Sequence, residues 1–250
     1  MDVKVLGKEE ESLSLELSDF KVSLVNALRR AILNDVNTIA IDDVTIYKNT
    51  SSMYDEVLAL RLGLIPIKTV PELNKKGKEF TFKLNESGPK TVYASDLKPS
   101  DEDVRPIYEK MLLMRLNEGE KIELEAKAVF GSGKEHAKFA PAHVTYHFQP
   151  VITTTKKEIR GSNKIASLCP VDILDGSDNK LSVKKGQLNK CILCNACEDF
   201  AGEDVIKISS DPSKIILNIE SWGQLDYKEI LTEAAENLET EAKELIKSLS

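Results

Sequence analysis

Four cysteines occur in the 250 residues, and three of them, Cys191, Cys194 and Cys197, stand in a C-x2-C-x2-C run. That spacing lets one tight loop present three thiolates to one face of a cubane iron–sulfur cluster. A cubane needs a fourth ligand, and Cys169, followed directly by Pro170, lies upstream. The chemistry indicated is ligation of a metal centre by thiolates.

Bacterial two-cluster ferredoxins use C-x2-C-x2-C-x3-C-P twice, and the cysteine before proline in each half ligates the cluster of the other half. Counting back from Cys169 by this spacing reaches Ile159, Ser162 and Ile165, and counting forward from Cys197 reaches Ala201 and Gly202. One cluster has thus lost all its ligands. Cys169, Cys191, Cys194 and Cys197 form a complete set for the other, with no cysteine left over. The expected cofactor is one [4Fe-4S] cluster, recoverable as [3Fe-4S]. Zinc is the lesser alternative, because four-cysteine zinc sites generally use two C-x2-C pairs. Without a flavin or nicotinamide motif the cluster leans toward a structural role, since bound metal can fold a polar segment.

The elements that must position these residues follow from periodicity. Residues 12–17 alternate Leu13, Leu15 and Leu17 with polar side chains, as a strand with one wet face does. Val22, Val25, Leu28 and Ile32 recur at helical spacing, which predicts an amphipathic helix over 21–33. A strand over 39–47 and a short helix over 52–62 follow, the latter stopped by Gly63 and Pro66. From about 70 to 150 short strands are expected at 80–84, 91–94, 122–130 and 144–148, separated by Gly, Pro, Asn and Ser. Residues 156–190 are polar and are expected to lack a hydrophobic core of their own. A strand over 214–219 precedes the cleanest helix, 226–249, with Asp226 and Glu229 placed as a capping box. Its stripe of Ile230, Leu231, Ala234, Leu238 and Leu245 either packs on its own domain or helps to bury a partner.

Other candidates read as ordinary structure. His143 and His147 alternate with Val144 and Tyr146 as in a strand, unlike a helical metal pair. Gly131-Ser-Gly133-Lys134 lacks the phosphate-loop pattern, and a glycine turn between strands suffices. Lys156, Lys157, Lys184 and Lys185 are interspersed with acids and read as solvated. No Ser/His/Asp set and no polymerase-type Asp triplet is present, so no self-contained active site is visible.

Composition narrows the class. A hydrophobic share of 41% with 30% charged residues is globular, and the net charge of -7 argues against a dedicated nucleic-acid coat. The acid-rich first residues lack the apolar stretch of a secretory signal, and no apolar run approaches the roughly 20 residues that span a bilayer. A cytoplasmic location is expected, where free thiols stay reduced.

The segments L-V-N-A-L-R-R-A-I-L (24–33), Y-D-E-V-L-A-L-R-L-G-L-I-P (54–66), G-K-E-H-A-K (133–138) and E-S-W-G (220–223) together resemble the D subunits of archaeal RNA polymerase. These are the counterparts of the bacterial alpha subunit and of the third-largest subunit of eukaryotic polymerase II. The resemblance implies an α+β fold in three parts. They are a discontinuous dimerisation domain (1–39 plus 209–250), a β-rich insertion (40–155) and a ferredoxin-like iron–sulfur domain (156–208).

It further implies that the first and last helices pair with the matching helices of subunit L, placing Val25, Leu28, Ile32, Leu231, Leu238 and Leu245 at that interface. Arg29 and Arg30 correspond to arginines near the second-largest subunit, B. Subunits N and P and the largest subunit, A, complete the assembly. The implied function is that of a non-catalytic subunit of a nucleotidyltransferase, without specific DNA binding and without the DNA-binding C-terminal domain of bacterial alpha. The rival reading from the cysteines alone is a ferredoxin-like electron carrier.

Overall fold

The computed structural model describes residues 1–74, 78–155 and 158–249. Lys156 and Lys157, read above as solvated, lie outside the described residues. In chain order the elements are β1 (Asp2–Lys8), β2 (Ser12–Ser18), α1 (Val22–Asn34), β3 (Asn37–Asn49), α2 (Asp55–Gly63), β4 (Glu79–Ser87), β5 (Lys90–Tyr93), β6 (Lys98–Pro99), β7 (Leu112–Leu116), β8 (Lys121–Ser132) and β9 (Ala142–Thr154). They continue as α3 (Ser162–Ser167), β10 (Leu174–Asp175), β11 (Ser182–Val183), α4 (Ala196–Ala201), β12 (Ile206–Ser221) and α5 (Tyr227–Ser248). Two compact units contain them, one of residues 1–7, 14–25 and 146–218, the other of 8–13, 26–145 and 219 onward.

The first unit carries a four-stranded sheet in the order β1-β2-β12-β9. The alternation in β2 does what period-two patterning requires: Leu13, Leu15 and Leu17 are buried and the residues between them are half-buried. The polar segment corrects one expectation, because it does have a small core. Ile159, Ile165, Ile173, Leu174, Leu181 and Ile206 pack together with Cys197, and Cys169 and Cys191 lie against them. These side chains are widely spaced in sequence, so no periodic signal announces them. The short β10–β11 ribbon, pairing Leu174 with Val183, helps to bring them together.

The second unit is built on an antiparallel sheet in the order β3-β8-β4-β6, with β5 and β7 forming a separate pair. β3 and β8 pair along nearly their whole length, from Asn37 opposite Ser132 to Asn49 opposite Ile122, with register shifts at Ile41/Asp43 and Ile46/Lys48. Leu58 and Leu62 of α2, Ile65 and Ile67 join Phe80, Phe82, Leu84 and Leu124 in one core, where Phe82 is fully buried. Arg61 explains the polar position inside the apolar 54–66 motif: its Nη1 donates to the Leu113 carbonyl at 2.6 Å.

Gly131 and Gly133 serve close packing. A Cβ at Gly131 would stand 2.7 Å from the Phe139 ring, and one at Gly133 only 1.8 Å from the Leu33 carbonyl oxygen. Lys138, at the end of the same motif, donates to the Ile41 carbonyl at 3.0 Å and pairs with Asp42 at 2.5 Å. The capping box predicted for the last helix is present, with the Asp226 N–H donating to Glu229 Oε2 at 2.8 Å. Among the described residues no helix is long and apolar enough to cross a membrane.

Candidate metal centre and partner-binding helices

In the first unit, Cys169 comes two residues after the end of α3, while Cys191 and Cys194 follow a single 3-10 turn, Leu188–Lys190, and Cys197 lies in the first turn of α4. Leu193 and Asn195 adopt positive φ, 54° and 57°. This conformation is uncommon for residues with a Cβ, and it coils the loop tightly enough to return all three cysteines to one place. All four cysteines line one small cavity, whose other walls include Ile152, Ile173 and Ile208. All four are free thiols; Cys197 is buried, Cys169 and Cys191 are half-buried, and Cys194 is exposed.

Burial pushes the Cys191 thiol up, as do the neighbouring Cys169 and Cys194. Burial also raises Cys197, with Cys191 and Cys194 adding to it. Such thiols lose their protons readily only when a cation replaces them, so any metal taken up here releases protons. Among the described residues no group of three or more His, Cys, Asp or Glu side chains is arranged to hold a metal ion. The four cysteines therefore share one small cavity with apolar walls, without forming a finished ligand cage.

The pair of histidines lies on β9 as the alternation predicts, and burial lowers the pKa of His147 against a hydrogen bond with the Asn189 backbone.

In the second unit the C-terminal part of α1 lies beside α5. Asn237 Nδ2 donates to the Asp35 carbonyl at 2.7 Å, and the Asn37 N–H donates to Glu233 Oε1 at 2.9 Å. A cavity of about 490 Å³ between them is lined by Ala27, Arg30, Ala31, Leu238 and Glu241. The residues expected at a helix interface divide into groups. Val25 and Ile32 are covered by the chain's own atoms. Leu28, Arg29, Leu231 and Leu238 are half-buried, and Arg30 is exposed. Arg29 Nε donates to Asn26 Oδ1 at 3.2 Å.

The stripe on α5 changes character along the helix. Tyr227, Ile230 and Ala234 are buried, whereas every residue from 241 to 249 is exposed, including Leu245 at 61% and Leu249 at 80%. The first half of the stripe therefore packs on the chain, and its second half is exposed.

Residues 39–145 match the RNA polymerase Rpb3/RpoA insert domain family. The chain is 32% identical to the DNA-directed RNA polymerase subunit Rpo3 of Methanobrevibacter smithii, over 99% of this chain and 97% of that one. It is 34% identical to the Rpo3 of Methanosphaera stadtmanae, over 98% and 97% of the two chains, and 32% identical to that of Pyrococcus horikoshii, over 99% and 97%. The chain belongs to the Rpo3 family of DNA-directed RNA polymerase subunits.

Proposed function

We propose that this chain is a non-catalytic assembly platform of DNA-dependent RNA polymerase. It heterodimerises with subunit L through α1 and α5 and docks subunits N and P and the large subunits B and A, which make the phosphodiester bonds. The observation that carries this reading is the open half of α5 beside α1. An amphipathic helix whose apolar side chains stay in water over its last turns is incomplete as a monomer element, and apolar patches of that kind mark partner surfaces. Family membership supplies the context.

We further propose that Cys169, Cys191, Cys194 and Cys197 hold one [4Fe-4S] cluster of structural or assembly-regulating role. Cluster binding would supply cross-links between the segment after α3 and the loop before α4. The chain's own contribution is to gather four thiols at one cavity with apolar walls and to keep water from Cys197. Support comes from the spacing and from the shared cavity.

The test is anaerobic co-purification with subunit L, followed by iron, sulfide and zinc analysis. A one-to-one complex with about four irons and four sulfides per chain is expected. Zinc in place of iron would keep the assembly role and make the metal purely structural. A monomer with iron and a reversible redox couple, unable to bind subunit L, would favour the electron carrier instead.

A further inference from the structure

We propose that the surface around Trp222 is a docking site for a polypeptide segment that places an apolar anchor side chain beside basic residues. Two cavities there share Tyr108 and Trp222 as wall residues, and both lie within the second unit. The first, of about 620 Å³, is lined by Glu9, Glu10, Glu11 and Glu220. The second, of about 380 Å³, is lined by Leu64, Pro66, Met111, Ala140 and Gln224. Neither includes a residue of α1, α5 or the cysteine loop, so the site goes beyond subunit L pairing and cluster binding and does not depend on them.

Three observations converge on this occupant. The first is charge. None of the four glutamates has an ion-pair partner among the described residues. Glu11 Oε1 accepts from the Tyr108 hydroxyl at 2.8 Å; burial and this carboxylate together push the tyrosine up to about 12. Carboxylates gathered in one cleft concentrate cations, and they repel nucleic acid.

The second observation is exposure. Trp222 is 46% exposed and Leu64 53%, with Met111 and Tyr108 also in contact with water. Trp and Tyr carry much of the binding energy at protein interfaces, and their ring faces attract Lys and Arg.

The third is an unmet hydrogen bond. Gln224 is only 4% exposed; its Nε2 donates to the Ile39 carbonyl at 3.4 Å, and its Oε1 is buried without a partner. Flipping the carboxamide would set two oxygens against each other, so the orphan is the acceptor. Buried polar groups are rarely left unpaired. A backbone or side-chain N–H entering the apolar cavity with its side chain is the partner this oxygen lacks, whereas a bare cation would satisfy the glutamates and leave the apolar cavity unfilled.

The surface is also held ready. The Trp222 N–H donates to the Pro141 carbonyl at 3.0 Å and the Ser221 N–H to the Glu11 carbonyl at 2.7 Å. Ser221 Oγ donates to the Leu225 carbonyl at 2.7 Å and accepts from the Gly223 N–H at 3.0 Å. A fixed loop loses little freedom on binding.

Trp222 is the only tryptophan in the chain, so its emission reports occupancy directly. The full chain is titrated with acetyl-Arg-Leu-Arg-amide, acetyl-Arg-Gly-Arg-amide and acetyl-Glu-Leu-Glu-amide. The expected result is a saturable emission change with the first peptide at about 1 mM or below, weakened by salt. The double variant Glu10→Gln/Glu220→Gln should weaken it about tenfold with an unchanged circular dichroism spectrum. The glycine-centred peptide binding as well as the leucine-centred one would reduce the site to bare electrostatics and overturn the proposal. So would equal binding of the acidic peptide, or no saturable change with any of the three.

Discussion

Substitution of Gly133 by alanine tests how the 133–138 motif acts on α1. The added Cβ would stand 1.8 Å from the Leu33 carbonyl oxygen and 3.0 Å from its carbonyl carbon. Restoring an ordinary contact of about 3.3 Å requires a shift of about 1.5 Å. That shift pulls against the Lys134 N–H, which donates to the Asn34 carbonyl at 3.0 Å. Losing this bond costs about 1 kcal/mol and the forced repacking about 1–3 kcal/mol. Gly133→Ala should therefore destabilise the protein by about 2–4 kcal/mol, read as a lower urea midpoint with an unchanged slope.

Two controls separate the causes. At Gly7 the nearest atom is Ser14 Cβ at 3.9 Å, so Gly7→Ala should change stability by less than about 0.5 kcal/mol. At Gly119 nothing lies within 4 Å but φ is +79°, so Gly119→Ala should cost about 1–2 kcal/mol through backbone strain alone. Gly133→Ala behaving like Gly7→Ala would refute the close-packing account. Because the shift displaces the C-terminal end of α1, Gly133→Ala should also weaken subunit L binding, while Gly119→Ala should leave it unchanged.

Cys194→Ser should abolish stoichiometric iron and speed amide exchange between about Gly161 and Ile208, with subunit L binding retained; full iron content in this variant would remove Cys194 from the ligand set. Asn237→Ala leaves the Asp35 carbonyl without its 2.7 Å donor and should cost about 1 kcal/mol in thermal unfolding, and an unchanged midpoint would show that the bond does not hold α5. His147 lies below its ordinary value of 6.5 because burial disfavours its charged form. The unfolded chain therefore takes up this proton first as pH falls: the stability is fully present above 6.5 and is lost below it. His147→Gln should flatten that acid loss in urea titrations, and an identical pH profile would count against the assignment.

The features legible in the sequence are those with a strong period or a local rule. β2 shows its alternation, α1 and α5 their helical stripes, and Asp226 and Glu229 their reciprocal cap, because each depends on neighbours a few residues away. β1 was not legible: Val3 and Val5 alternate, yet they remain 53% and 57% exposed, so no buried face marks the strand. β12 begins eight residues before the expected strand, at Ile206, because its polar start is held by sheet pairing and carries no hydrophobic pattern. The small core around Ile165, Ile173 and Cys197 is illegible in the sequence for a related reason, since residues scattered through polar loops become a core only after the chain has folded.

The same distinction governs the functional residues. Spacing identifies which cysteines can act together; of the two left-handed residues that coil their loop, Asn195 is of a type that favours that conformation, whereas Leu193 gives no sign of it. On α5 the stripe runs unbroken from Tyr227 to Leu249, yet its first turns meet the chain's own core and its last turns do not. Periodicity records that a face is apolar; what covers that face is decided by length. A helix of 22 residues spans about 33 Å, whereas its buried positions end at Ala234, so the remaining turns extend past the core that formed around its start. The part of a helix that outruns its own core is the part available to a second subunit.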